Sequence, residues 1–236
     1  MKRSILLTYI YSIAALIIAG VFATVKFKYF SSDGAYYLFT LITKEELYSF
    51  QSGRVAAHFI LKTPSWLMLK LGIRNFELVS FLMGFSFYAQ MIVGICLSFV
   101  TLSKTNKRYI VFPILSTFLF SLNTEYAIES ESIFLNSIFW PVFFYFYEYR
   151  ELKWDAFLFY PLLVALSLSY ETFSAVAFVI IYIVYKNKNI SKKIKAPLYL
   201  YLLSMSCFQF YNIIFHQYPD NVRRYMNSVL YGFFGL

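Results

Sequence analysis

Residues 78–102, LVSFLMGFSFYAQMIVGICLSFVTL, decide the fold class of this chain because they contain no charged side chain. A helix needs about 20 predominantly apolar residues to cross about 30 Å of hydrocarbon, and this stretch is longer than that. Its residues are apolar on every face, whereas a strand of a membrane barrel alternates apolar and polar residues. The stretch therefore predicts an all-α, polytopic helical membrane protein.

The composition of the whole chain supports this prediction. Of 236 residues, 60% are hydrophobic and 14% are charged, and the mean hydropathy is +0.60; a soluble domain carries about a quarter charged residues. The net charge of +9 does not indicate a nucleic-acid partner, because the basic residues lie in short loops between apolar runs, as the positive-inside rule describes. Cys96 and Cys207 lie within apolar segments and are interpreted as packing residues rather than as a disulfide or a metal site.

The alternation of apolar and basic segments gives the threading. The apolar runs cover residues 5–25, 78–102, 109–124, 132–147, 156–185 and 196–215, and another begins at Tyr225. We predict about 7–8 transmembrane segments in one transmembrane domain, 1–236, of the cell membrane, with the N-terminus in the cytoplasm. Because the chain stops at Leu236 inside an apolar run, it is interpreted as a fragment or as a shortened family member.

Residues 156–185 allow two interpretations. A single helix of this length would run about 45 Å, whereas two helices would run only about 21 Å each. A single pass would place the five lysines of the 186–195 loop outside, against the positive-inside rule. We therefore predict two passes that turn at residues 169–172 and leave Glu171 at the outer tip.

Residues 26–77 form the large extracytoplasmic loop in this threading. Within it, residues 35–50 and 55–71 are apolar enough to lie as helices in the membrane interface, with Trp66 at the headgroup level. Pro64 is expected to break or kink the second of these helices.

Nine of the twelve acidic residues fall on the extracytoplasmic side in this threading. Five of them stand beside or between apolar segments: Asp33, Glu125, Glu129, Glu131 and Glu171. A carboxylate at the membrane edge is costly unless it binds, catalyses or pairs. The sequence therefore places the chemistry of the protein on this side.

Asp33, within the stretch SSDGAYY of residues 31–37, has two interpretations. Its carboxylate can cap a helix that starts near Ala35 by accepting hydrogen bonds from backbone N–H groups. Alternatively, it is a general base that takes a proton from an acceptor hydroxyl, or a ligand of a divalent metal. The structural and the functional role are compatible.

Arg54, His58 and Lys62 are spaced by four residues, so a helix would align them as one polar stripe. Cations at the headgroup level suit a lipid phosphate, which arginine binds through a bidentate fork. The alternative is that these side chains snorkel to bulk anionic lipid. His58 does not indicate zinc, since no further ligands occur at the required spacing.

The remaining acids stand at two predicted tips. Glu125, Glu129 and Glu131 follow the run 109–124, either as a solvated turn or as part of a site. Glu131 is also placed to favour the N-terminus of the next helix through the helix dipole. Glu171, a single charge within a long apolar segment, is either a solvated turn residue or a functional carboxylate.

These motifs together resemble the GT-C class of membrane glycosyltransferases, in which an acidic residue follows the first span in a long outer loop with interfacial helices. A Gly-Arg pair ending at Arg54 and acids at later outer tips add to the likeness. The resemblance implies transfer of a sugar from a polyprenyl-phosphate donor on the extracytoplasmic side. It implies catalytic roles for Asp33, for Glu129 or Glu131 and for Glu171, and a donor-phosphate contact for Arg54.

The leading functional hypothesis is therefore a glycosyltransferase-like membrane protein. Asp33 would orient or deprotonate the acceptor hydroxyl, while Arg54 and Lys62, with His58 on the same stripe, would neutralise the departing lipid phosphate. The predicted partners are membrane lipids and the polyprenyl-phosphate sugar. The alternatives are a transporter or lipid-handling protein, with the acidic tips on a cation or proton path, and a non-catalytic membrane subunit.

Overall fold

The computed structural model describes residues 3–26, 33–45, 47, 54–121, 131–149 and 153–215, and gives the backbone alone for residues 33, 34, 120, 121, 131 and 153–156. Within these ranges the chain is helical and contains no strand. The helices are α1 Arg3–Val25, α2 Asp33–Lys44, α3 Val55–Lys70, α4 Phe76–Thr101, α5 Val111–Ser116, α6 Glu131–Glu148, α7 Lys153–Ser167, α8 Phe173–Lys186 and α9 Lys192–Phe215. A 3-10 turn, Lys107–Ile110, leads into α5, and a π-helical turn, Thr117–Ser121, extends it.

The all-α class predicted from the sequence is confirmed. Among the described helices, α1, α4 and α9 are long and apolar enough to cross a membrane. The predicted turn within 156–185 is also confirmed, since α7 ends at Ser167 and α8 begins at Phe173. At 1.5 Å per residue, α7 and α8 are only about 22 Å and about 21 Å long.

Side-chain contacts bring the ends of several helices together. We call this end of the helix group the lysine end, because the lysine-rich loop between α8 and α9 lies there. Tyr9, near the start of α1, donates a hydrogen bond to Cys96 Sγ (3.2 Å) near the end of α4. Glu148, at the end of α6, accepts two hydrogen bonds from the loop that follows α4. Asn187, just after α8, donates from Nδ2 to the Phe146 carbonyl (2.7 Å). The start of α1 and the ends of α4, α6 and α8 therefore lie together.

The opposite end, which we call the Glu171 end, holds the turn between α7 and α8 and the two loop helices. The Ala56 amide at the start of α3 donates to the Leu168 carbonyl in that turn (3.1 Å). Ser65 Oγ of α3 donates to the Val79 carbonyl near the start of α4 (2.8 Å). As a result, α1, α5, α7 and α9 run towards the Glu171 end, and α4, α6 and α8 run back.

Close packing of α4 against its neighbours builds the core. Gly94 lets α4 approach α6, because a Cβ at this position would overlap the Ser137 carbonyl; small residues permit such close helix contacts. A hydrophobic cluster joins α6, α7, α8 and α9. Its side chains include Phe146, Phe173 and Ile180, all with 0% exposure. These contacts hold the α7–α8 turn beside the start of α3.

Helices α2 and α3 differ from the prediction in two respects. α2 stops before residue 50, because Glu45 takes a φ of +49°, in the left-handed region that commonly ends helices. α3 continues through Pro64, so of the two predicted effects the break is wrong and the kink stays a prediction. Burial of its Leu61 face against the neighbouring helices stabilises α3 across the proline. Trp66 Nε1 donates to the carbonyl that follows α2 (2.9 Å) and thereby ties the two helices together.

Candidate functional site

The basic stripe of α3 faces the inside of the helix group. His58 and Lys62 each expose only 4% of their surface, and the Arg54 side chain exposes 16%. Side chains that snorkel to bulk lipid would keep their charged groups at the outer surface. The burial therefore argues against the snorkelling interpretation, and it requires partners, since desolvating an unpaired charge is expensive.

Arg54 forms an ion pair with Glu171, which lies 117 residues later in the chain. Arg54 Nε lies 2.9 Å from Oε1 and 3.1 Å from Oε2, and the Glu171 side chain is 12% exposed. The ring of Tyr170 faces the guanidinium, with 4.6 Å between Cζ and the ring centroid. Such a cation–π contact strengthens when it is desolvated. The guanidinium is thus held by a carboxylate at its edge and by an aromatic ring at its face.

Helix α9 fixes the turn that carries Glu171. Gln209, which is fully buried, donates from Nε2 to the Ser167 carbonyl at the end of α7 (2.6 Å). From Gln209, α9 continues to Phe215, which is about 9 Å further along the helix. The turn is therefore recessed relative to the end of α9, and so is the ion pair.

Tyr37 of α2 contacts the other two residues of the stripe. Its ring lies edge-on to the His58 ring, with 4.7 Å between centroids, and 4.4 Å from Lys62 Nζ. Trp66 contacts the end of α2, so α2 and α3 run side by side in the same direction. Asp33 precedes Tyr37 by about one helical turn. This register puts the first residue of α2 level with the start of α3.

Four of the predicted acids are described in part or not at all. Asp33 is the first residue of α2 and Glu131 the first of α6, both at the Glu171 end, but their side chains lie outside the described part. Glu125 and Glu129 lie outside the described residues altogether. α2 begins at Asp33 and not near Ala35. Asp33 therefore lies in the first turn of the helix rather than at the cap position before it. An acid in the first turn suits the helix dipole.

A second ion-pair cluster lies at the far end of α2. Glu45 pairs with Arg74 (Nη2 to Oε1, 3.0 Å) and with Lys70 (Nζ to Oε2, 3.7 Å). The Arg74 and Lys70 side chains are 77% and 48% exposed, and solvent-exposed pairs contribute little to stability. This cluster joins the end of α2 to the end of α3 and to the loop before α4. Its basic groups stay open to solvent, so it does not form a buried site.

Three residues of the site are missing from the sequence prediction: Tyr37, Tyr170 and Gln209. Tyr37 follows Asp33 by one helical turn, and Tyr170 precedes Glu171 directly. Aromatic residues beside a candidate charge are therefore the signal that would have found both. Gln209 carries no such signal, because one polar residue in an apolar helix does not reveal its partner.

No protein-family model, curated protein or solved structure matches the chain. The likeness to the GT-C class therefore rests on the residues of its motifs. In the described ranges, no three His, Cys, Asp or Glu side chains gather closely enough to hold a metal ion; the role of Asp33 as a metal ligand stays a prediction.

The arrangement provides oriented positive charge in a recessed position. A guanidinium presents five N–H donors in a planar fork, and Glu171 engages the Nε edge of that fork in Arg54. The ammonium of Lys62 and the imidazole of His58 follow on the same face of α3. Such a set of donors suits an anion with several oxygens, above all a phosphate.

Proposed function

We propose that the chain is a multi-pass protein of the cell membrane, with its N-terminus and lysine end in the cytoplasm and its Glu171 end outside. Helices α1, α4 and α9 have the required length and hydropathy. Large apolar side chains face outward, among them Ile18 (70% exposed), Val100 (76%) and Leu200 (68%). The segments 103–108 and 186–195 contain only basic charged residues, as cytoplasmic loops do.

The proposed spans are α1, α4, α5 with its flanking turns, α6, α7, α8 and α9, which alternate in direction. The further span predicted from Tyr225 lies outside the described residues. Because α7 and α8 are shorter than the hydrocarbon is thick, they require a thinned bilayer or shielding by neighbouring helices. That shielding suits a recessed polar site at their turn.

Cysteines at Thr172 and Lys188 are expected to label from opposite sides of the membrane, because both positions are exposed and lie at opposite ends of α8. The background is a chain with Cys96 and Cys207 replaced by alanine, which by itself measures unspecific labelling. An impermeant thiol reagent should modify Thr172→Cys in intact cells, and Lys188→Cys only after permeabilisation. Modification of Lys188→Cys in intact cells would refute the cytoplasmic position of the loop between α8 and α9.

We propose further that the Glu171 end binds the phosphate of a polyprenyl-phosphate sugar and transfers the sugar to an acceptor at the extracytoplasmic face. The observation that supports this most strongly is the burial of Arg54, His58 and Lys62 on one inward face of α3. Ionisable groups at membrane depth are costly and usually functional. A phosphate bound here would add its negative charge to that of Glu171.

In the proposed reaction, the acceptor oxygen bonds to the anomeric carbon while the bond between that carbon and the donor phosphate oxygen breaks. The proton of the acceptor hydroxyl passes to the Asp33 carboxylate. The electron pair of the broken bond stays on the lipid phosphate, where Arg54 and Lys62 stabilise the developing charge. Glu171 acts as a positioning residue for Arg54, and Glu129 or Glu131 is proposed as a second acid.

Arg54→Lys is expected to lower sugar transfer about tenfold to a hundredfold, which corresponds to one charge-assisted hydrogen bond of about 1.5–3 kcal/mol. Lysine keeps the charge but loses the planar fork that engages both Glu171 and the phosphate. The measurement is transfer from a radiolabelled polyprenyl-phosphate sugar in membranes, normalised to folded protein. Arg74→Lys, the same exchange in the exposed Glu45 cluster, is the matched control and should keep full transfer. Equal transfer by the two variants would contradict the phosphate contact.

A second candidate function, transport of a cation or proton, is supported by the recessed turn between α7 and α8. Transporters commonly bind substrates where helices break within the membrane, and Glu171 places a carboxylate at this break. Parallel assays separate the possibilities. Sugar transfer supports the enzyme, ion-dependent flux into proteoliposomes without sugar transfer supports the transporter, and the absence of both activities supports a non-catalytic membrane subunit.

A further inference from the structure

A cleft of about 330 Å³ lies between α7 and α9, towards the lysine end. Its apolar walls come from both helices and include Leu163, Val164, Pro197, Leu198 and Tyr201. Lys193, in the first turn of α9, lines the same cleft. Gln209, which marks the level of the Glu171 site, is about 24 Å from Lys193 and about 12 Å from Tyr201 along α9. The cleft is therefore separate from the candidate functional site.

A hydrogen bond between α7 and α9 lies at one end of the cleft, and lysine side chains lie at its other end. Towards the Glu171 end, a hydrogen bond between Ser167 Oγ and Tyr201 OH (2.6 Å) joins α7 to α9. Towards the lysine end, Lys192 and Lys193 are exposed. Among the described residues, no acidic side chain pairs with either of them. The apolar space thus ends at the exposed Lys193, with Lys192 beside it in the chain.

We propose that this cleft binds one anionic phospholipid of the cytoplasmic leaflet, with an acyl chain between α7 and α9 and the headgroup phosphate at Lys193 and Lys192. Charge complementarity favours this occupant, since the whole segment 186–195 carries only basic charges. Basic pockets between helices on the cytoplasmic side suit anionic headgroups. A lysine stem can lie along the apolar wall while its ammonium reaches the phosphate. The proposal rests on membrane insertion in the orientation above and is independent of sugar transfer.

Native mass spectrometry of the purified full chain tests the proposal by counting lipids that stay bound from an equal mixture of phosphatidylglycerol and phosphatidylcholine. The wild-type chain is expected to retain phosphatidylglycerol preferentially. Lys193→Gln should weaken this retention about fivefold, the effect of one basic residue at an anionic surface. Lys188→Gln, an exposed lysine of the same loop that does not line the cleft, is the matched control and should retain phosphatidylglycerol as the wild type does.

A second variant tests the acyl-chain part of the site. Val164→Trp fills the cleft and keeps both lysines, so it should also lose phosphatidylglycerol, and its melting temperature without lipid reports whether it folds. Equal losses in Lys193→Gln and Lys188→Gln would mean diffuse attraction and overturn the proposal, as would equal retention of the two lipids. If inorganic phosphate stabilised the protein as much as phosphatidylglycerol does, the cleft would be a small-anion site and not a lipid site. Unchanged retention in a folded Val164→Trp would overturn the acyl-chain assignment.

Discussion

Glu171→Gln is expected to lower the free energy of unfolding by about 3 kcal/mol, because it removes the carboxylate that partners a buried guanidinium. Removing one partner of a buried ion pair costs about 3–5 kcal/mol. The low end applies here because the Arg54 and Glu171 side chains keep 16% and 12% exposure. The measurement is unfolding of the purified protein in mixed micelles with increasing denaturing detergent.

The matched control for this variant is Glu45→Gln, which removes the carboxylate of an ion pair whose Arg74 partner is 77% exposed. Exposed pairs contribute about 0–1 kcal/mol, so the control should lose at most about 1 kcal/mol by the same rule. Equal losses in the two variants would show that burial does not distinguish the Arg54–Glu171 pair from a surface pair.

A double variant separates the structural role of the pair from its proposed functional role. Arg54→Met combined with Glu171→Leu should recover most of the lost stability, since apolar replacements of a buried ion pair are often neutral or stabilising. The same protein should lose sugar transfer, because the proposed phosphate contact is gone. Wild-type transfer by the double variant would assign the pair a purely structural role.

Asp33→Asn is expected to reduce sugar transfer by about 10²–10⁴, the typical contribution of a general base. Asparagine keeps the size of the side chain but cannot accept the proton of the acceptor hydroxyl. Loss of an acid from the first turn of α2 should cost only about 0.3–1 kcal/mol of stability through the helix dipole. The measurement is transfer from the radiolabelled donor, with the melting temperature recorded for each variant.

Glu77→Gln provides the control for Asp33→Asn, because Glu77 is also an acid in the first turn of a helix, α4, and is exposed. It should match Asp33→Asn in stability and match the wild type in transfer. Wild-type transfer by Asp33→Asn would remove Asp33 from catalysis and leave it the role of a helix-dipole partner.

The course of the chain could be predicted from the sequence where the signal is local or statistical. Uncharged runs longer than a bilayer is thick mark helices such as α1 and α4. The break at residues 168–172 contains neither glycine nor proline, so helix propensity alone does not indicate it. The lysines of the 186–195 loop indicate it instead, because the positive-inside rule predicts them on the same side as the N-terminus, after an even number of passes.

Predictions failed where a tertiary contact overrides the local preference. Pro64 removes a backbone donor from α3, yet the helix continues, because its Leu61 face is buried against neighbouring helices. α2 stops earlier than its apolar pattern suggests, at a left-handed Glu45 that pairs with Arg74 and Lys70. The energies of these contacts come from residues distant in sequence, so the local pattern does not contain them.

The sequence by itself determined that this protein is all-helical, where its long helices run, that α7 and α8 are two helices, and that Arg54, His58 and Lys62 share one helical face. Each of these follows from hydropathy, charge and helical periodicity, which act over one helix or one loop. Only the tertiary structure decided that this face is buried, that Arg54 meets Glu171 and that Tyr37 lies against Lys62. The direction of a polar face depends on which helices pack together, and that depends on close fits such as Gly94 against Ser137.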